Sequence, residues 1–216
     1  MFEVLLVRHG QTDWNAGRRV MGRQPIGLNA TGRAQVAALA GALAECNVVA
    51  IYASPTRRTM ESAELLLDGH RGDAPLQEDP GLVEIDYGDW VNLPFEAVEP
   101  QPSFTEYLVR PSQMQIPGGE RPTEVQARAV AAVERMRSAH PSGRVAVVSH
   151  ADVIKVVLVH YLGMPLDRWQ QFKIDNGSLT WLRFYPGGVR VVGVNWHPGA
   201  DHLFAHDTLP HVHDGE

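Results

Sequence analysis

Twice the chain drives an apolar, β-like run straight into a histidine. Phe2 to Val7 ends on Arg8-His9-Gly10, and Arg144 to Val148 ends on Ser149-His150, from which a helical pattern, Val153 to Leu162, continues until Gly163 and Pro165 stop it. A buried strand that stops on polar residues has reached the edge of a sheet. In open α/β sheets ligands gather at the carboxyl ends of strands. A histidine held there beside a guanidinium and a conformationally free glycine is placed to meet an anion.

The remaining pattern alternates in the same way. Asn29 or Thr31 can cap a helix running to about Glu45, with Val36, Leu39, Ala40 and Leu43 on one face. Val48 to Ala53 reads as a strand. From Arg57 to Leu67 the positions of Met60, Ala63, Glu64 and Leu67 predict a helix with Arg58 in its first turn. Thr123, behind Pro122, reads as the cap of another helix to about Ser138. Ser178 to Tyr185 and Val189 to Asn195, separated by Pro186-Gly187-Gly188, read as a hairpin. Val91 to Arg121 is proline-rich and lacks clean periodicity, so it reads as an excursion over the sheet edge. The fold class expected is α/β: a three-layer α/β/α sandwich around a mostly parallel central sheet.

Composition narrows the function classes. With 216 residues, 44% of them hydrophobic, the chain can bury one ordinary core. A net charge of −6 without a block of like charges offers no extended surface for nucleic acid, so any anion site is local. Cys46 stands alone, which excludes an intrachain disulfide and fits a reducing compartment. The N-terminal apolar run is too short for a signal peptide, and no stretch approaches the ~20 apolar residues of a membrane span. Cytoplasmic location is expected, with no membrane partner; a homodimer is compatible with the sequence. His197, His202, His206, His211 and His213 crowd the C-terminal region, but their spacing matches no zinc pattern and no paired cysteine accompanies them. No metal and no cofactor are expected.

Four segments taken together resemble the histidine phosphatase superfamily, which includes phosphoglycerate mutases and small phosphatases. They are Arg8-His9-Gly10-Gln11-Thr12 with Asn15, Ser54 to Ala63 around Arg58, Leu82 to Trp90 around Glu84, and Val147 to Lys155 around His150, in the family's order. Through the resemblance, residues 1–203 are expected to form one phosphoglycerate mutase-like domain, with residues 91–121 as part of a lid and residues 204–216 as a polar tail. Asp201-His202-Leu203 resembles the family's terminal segment.

The resemblance implies a site without metal. Arg8 and Arg58 offer planar forks that each bond two phosphate oxygens. His150 is implied as a third cationic partner and Asn15 as a neutral donor, helped by amides at the start of the helix after His150. His9 is the implied nucleophile, its other ring nitrogen held by a backbone carbonyl near Gly10. Glu84 is the implied proton donor, its pKa raised by burial among Leu82, Tyr87 and Trp90, with Asp86 and Asp89 as fallback acids. Arg57 neighbours Arg58, which is chosen because Ser54 precedes it by four and Ser62-Ala63 follow. Arg23, with Arg18 and Arg19, is a candidate for further anion binding. Tyr87, Trp90, Phe95, Phe104, Tyr107 and Met114 suggest an apolar lid.

Two positions depart from the family pattern: Val91-Asn92 stands where Glu-Gly is frequent, and Ala151-Asp152 where a small glycine pair is. Asp152 adds a negative charge next to the anion site that could repel or orient a ligand, and its milder reading is an acidic residue at a helix N-terminus. The activity implied is hydrolysis of a small phosphomonoester through phospho-His9. A phosphoglycerate mutase-type transfer is the alternative, disfavoured by the short stretch between Glu84 and His150, and a phospho-ligand-binding module without turnover is the third reading.

Overall fold

The computed structural model describes residues 1–199 of the chain. Asp201-His202-Leu203, the tail from residue 204 and the histidines beyond His197 lie outside them. Among the described residues no cluster of His, Cys, Asp or Glu could hold a metal ion, and no helix is long and apolar enough to cross a membrane.

The elements in chain order are β1 (Phe2–Arg8), α1 (Asp13–Ala16), α2 (Ala30–Leu43), β2 (Val48–Ala53), α3 (Arg57–Gly69), β3 (Leu76–Glu78), α4 (Phe95–Val98), α5 (Pro102–Val109), α6 (Pro122–Ala139), β4 (Gly143–Ser149), α7 (Ala151–Tyr161), β5 (Leu179–Tyr185) and β6 (Gly188–Trp196). They build one sheet in the order β3-β2-β4-β1-β5-β6. The first four strands run parallel, whereas β5 and β6 close the other edge antiparallel. The reversal at β6 is made by Pro186 and Gly187, the latter at φ +94, where a side chain would be strained.

Strand alternation divides the core into two layers. Val4 and Leu6 of β1 pack with Val125 and Val133 of α6 and Val157 of α7. Leu5 and Val7 face the other way, onto Val36 and Leu39 of α2 and Leu66 of α3. Cys46, half-buried, packs beside this second layer.

Local chemistry sets the helix ends. Asn29 caps α2 by accepting from the Gly32 amide at 2.8 Å. The helix expected to be capped by Thr123 instead starts at Pro122, whose fixed φ suits a first helical turn. Glu124 there accepts from the Arg121 amide at 2.9 Å. The helix expected from Val153 already begins at Ala151, directly after His150. The proline-rich excursion holds two short helices, α4 and α5, and is tied back to the chain after α1 by the Val20 amide, which donates to the Leu93 carbonyl, and the Asn92 amide, which donates to the Val20 carbonyl, each at 2.9 Å.

Candidate active site

Parallel pairing explains why two distant histidines meet. Arg8 lies opposite Ser149 in the β1/β4 register, so His9 and His150 leave adjacent strands at the same level of the sheet. Their ring centroids are 5.3 Å apart at 64°. Ser54, leaving β2 on the far side of β4, reaches His150 Nε2 with its hydroxyl at 2.8 Å.

Hydrogen bonding fixes the histidine tautomers. His9 Nδ1 donates to the Gly10 carbonyl at 2.7 Å, which leaves the lone pair on Nε2. Into that lone pair Arg58 Nε donates at 3.2 Å. Another nitrogen of the same guanidinium lies 3.1 Å from His150 Nδ1, so this nitrogen accepts and His150 donates from Nε2 to Ser54. Arg58 is 1% exposed and also donates to the carbonyls of Gly22 at 2.7 Å and Gln24 at 3.1 Å. Arg57, one residue earlier, is exposed and pairs with Glu61. The first turn of α3 therefore delivers Arg58 and not its neighbour.

Arg8 gives Nη1 to the Ile174 carbonyl at 2.6 Å, while its buried Nε has no partner among the described residues. A buried donor left unpaired costs about 1–3 kcal/mol, and Arg8 is one of the residues lining a cavity of about 260 Å³. The same cavity is lined by His9, Asn15, Arg58 and Glu84. His150 lies fully buried against it, flanked by the lining residue Ala151 at the N-terminus of α7. That helix end adds its positive pole to the site.

Electrostatics separate the groups. Burial, with Arg58 and Arg8 close by, holds His9 well below its ordinary pKa. Burial and Arg58 do the same to His150. In the free protein His150 is thus held neutral beside the guanidiniums. Burial, reinforced by the Asp152 carboxylate, lifts Glu84 to about 7 against the pull of Arg58. Its Oε1 accepts from the Ile85 amide at 2.9 Å, and its Oε2 sits 3.9 Å from His150 Nδ1.

Other expected residues fall on both sides of the line. Asn15 uses its side-chain oxygen for the Thr12 amide at 3.1 Å and for Asn176 at 3.3 Å, which leaves its NH2 as the group it can offer. Arg23 is corrected: it is absent from the cavity lining, donating to the Glu84 carbonyl at 3.0 Å and to Glu120 at 2.9 Å. Asp86 faces the Gly88 amide and Arg23, and neither it nor Asp89 lines the cavity. Arg18 pairs with Glu99. Tyr87, Trp90, Phe95, Phe104 and Tyr107 do line it, whereas Met114 is core.

Further participants take their roles from partners remote in the chain, and of these Asn176 carried no sequence signal. Asn176, before β5, donates to the His9 carbonyl at 3.1 Å. Ser62 accepts from the Gly10 amide at 3.2 Å and donates to the Arg58 carbonyl at 2.7 Å, linking the two arms of the site. Asp152 was visible as a departure from the family, but its burial against Tyr87, Tyr107 and Lys155 was not.

The model of the histidine phosphatase superfamily (branch 1) matches residues 4–197. The chain belongs to this superfamily. The bifunctional protein Rv2228c of Mycobacterium tuberculosis (strain ATCC 25618 / H37Rv) is 34% identical over 191 residues, 88% of this chain and 52% of that protein. The chain thus spans about half the length of that relative. Phosphoserine phosphatase 1 of Hydrogenobacter thermophilus is 28% identical over 213 residues, 97% of this chain and 100% of that one. Among solved structures, Bacillus stearothermophilus YhfR superposes with a TM-score of 0.82 at 30% identity, covering 88% of this chain and 95% of its own. As a member of the superfamily with phosphatase-named relatives, the chain has the phosphoglycerate mutase-like α/β fold.

Proposed function

We propose that this protein is a metal-independent phosphatase that hydrolyses a small phosphomonoester through a phosphohistidine at His9. The observation carrying this reading is that His9, its Nε2 lone pair met by Arg58, lines one cavity with two guanidiniums, Arg58 and Arg8, and with Glu84. Phosphoryl transfer needs positioning and charge on the peripheral oxygens more than covalent assistance, and Arg8 and Arg58 supply that charge.

In the first step His9 Nε2 attacks phosphorus and the bond to the ester oxygen breaks. Glu84, poised near neutrality, gives its proton to the departing alkoxide. The imidazole gains positive charge as the P–N bond forms, and the Nδ1 bond to Gly10 takes up part of it. The phosphate dianion reverses the local field at His150 and favours its protonation. In the second step the Glu84 carboxylate takes a proton from water, the water oxygen attacks phosphorus, and the P–N bond breaks. Inorganic phosphate leaves, and His9 recovers its lone pair.

His9→Ala tests the assignment. Turnover should fall at least about 10⁴-fold, and labelling of the protein by a radioactive phosphomonoester should vanish, with the fold intact by circular dichroism. Full activity in that variant refutes the nucleophile. Wild-type protein that returns an isomerised ester instead of inorganic phosphate is a mutase.

A further inference from the structure

Asp152 stands in the first turn of α7 and lines the same cavity as Arg8 and Arg58. A carboxylate is an unexpected lining for a site that receives phosphate. Its Oδ2 accepts from the hydroxyl of Tyr107 and from that of Tyr87, the latter at 2.5 Å. Its Oδ1 holds Lys155 Nζ at 3.2 Å, and the same ammonium reaches Gln170 at 2.9 Å. Burial opposes ionisation of this carboxyl, but Lys155 and the two hydroxyls together outweigh it and keep the group below its ordinary pKa.

The cavity therefore has two regions of different charge. On one side Arg8 and Arg58 would face the phosphate, with the Glu84 carboxyl acting on both and Asp152 on Arg8 from across the cavity. On the other, Asp152 and Lys155 cancel, and Trp90, Phe95, Phe104 and Leu108 complete the wall. Arg19, the other lining cation, is half-buried and gives Nη1 to the Asn92 carbonyl and, at 2.9 Å, to the Asn92 side chain. A second negative charge on the substrate would meet the Asp152 carboxylate with its natural counterion already taken. Like charges brought together in a desolvated site cost binding steeply.

We propose that Asp152 is a specificity-determining residue: by neutralising Lys155 inside the cavity it selects phosphomonoesters of uncharged alcohols and turns away those whose leaving group carries a carboxylate. The proposal rests on the phosphatase reading above and adds the class of leaving group.

A matched pair of ligands tests it. Glycerol 3-phosphate and 3-phosphoglycerate are both primary alkyl phosphates of nearly equal size, and differ in bearing a hydroxymethyl group or a carboxylate. Their inhibition constants against release of phosphate from 4-nitrophenyl phosphate report binding even where their own turnover is slow. Wild-type protein should bind glycerol 3-phosphate at least about tenfold tighter. Lys155→Gln should widen that ratio, because Asp152 is then unopposed. Asp152→Asn, whose amide oxygen still accepts from both tyrosines, should narrow it to about threefold or less by freeing Lys155. The ratio is insensitive to a general loss of rate, so a structural defect does not imitate the effect. Equal constants, tighter binding of 3-phosphoglycerate by the wild type, or an unchanged ratio in Asp152→Asn overturns the proposal. Absence of phosphate release from every ester overturns the phosphatase reading and this proposal with it.

Discussion

Arg58 donates from Nε into the Nε2 lone pair of His9 at 3.2 Å, so the guanidinium that would meet phosphate also adds to burial in holding the imidazole neutral. The two effects separate by substitution. Arg58→Ala should lower kcat/KM by about 10³-fold through loss of a preorganised donor, and should raise the pKa of His9, because a cation beside it is gone. Arg58→Lys should keep His9 low while recovering little activity, since an ammonium lacks the planar fork. Imidazole nitrogen chemical shifts across a pH series, alongside initial rates, check both halves. An unmoved His9 titration in Arg58→Ala contradicts the electrostatic account.

Glu84 gives the pH dependence a sign. Only its protonated form can donate to the leaving alkoxide, and burial beside Asp152 sets its pKa at about 7. In the free protein kcat/KM should therefore decline as pH rises through about 7. Glu84→Gln should lose about 10²–10⁴-fold in rate and abolish this alkaline limb. A pH–rate profile of the variant that keeps the limb assigns the acid elsewhere.

Much of this was legible in the sequence because it depends on strand ends. Two apolar runs that stop on histidines fix which residues reach the carboxyl edge, and parallel register does the rest. Arg58 was legible through the family resemblance, which places it four residues after Ser54 and before Ser62-Ala63. What escaped depended on partners remote in the chain. Arg23 reads as a free cation until Glu120, 97 residues away, is placed beside it. Asp152 reads as an ordinary helix N-terminal acid until Tyr107, 45 residues earlier, is packed over it by a helix too short to announce itself. The neutrality of His150 follows from burial among guanidiniums, which no local pattern encodes.

The same buried histidines should make the fold sensitive to acid. Both are held well below the ordinary value of about 6.5 that they regain on unfolding. Below that pH the unfolded chain binds protons that the folded chain refuses, so stability falls as pH drops, by about 1.4 kcal/mol per pH unit for each histidine. Glu84 acts oppositely: its raised pKa contributes stability at low pH that is lost as pH rises through about 7. Urea unfolding between pH 5 and 6.5 should give a shallower dependence for His9→Ala and a steeper one for Glu84→Gln than for the wild type. Parallel slopes in all three proteins exclude these groups as the source.

Gly10 and Gly41 should respond to alanine with opposite signs. A Cβ on Gly10 would lie 2.3 Å from the Gly32 carbonyl oxygen, where β1 runs into the loop that abuts the start of α2. Backbone cannot yield as a flexible side chain does, so the substitution should cost about 3 kcal/mol by overpacking. The displaced peptide also carries the carbonyl that orients His9 Nδ1. A misaimed nucleophile loses about 10²-fold in kcat/KM for an ångström of displacement. Gly41 is exposed within α2, and a Cβ there meets nothing within 4 Å. Gly41→Ala should therefore stabilise by about 1 kcal/mol through helix propensity and leave kcat/KM unchanged. Denaturation midpoints and kcat/KM of the two variants decide the matter, and a Gly10→Ala protein as stable and active as the wild type would remove that close approach from the account of how His9 is aimed.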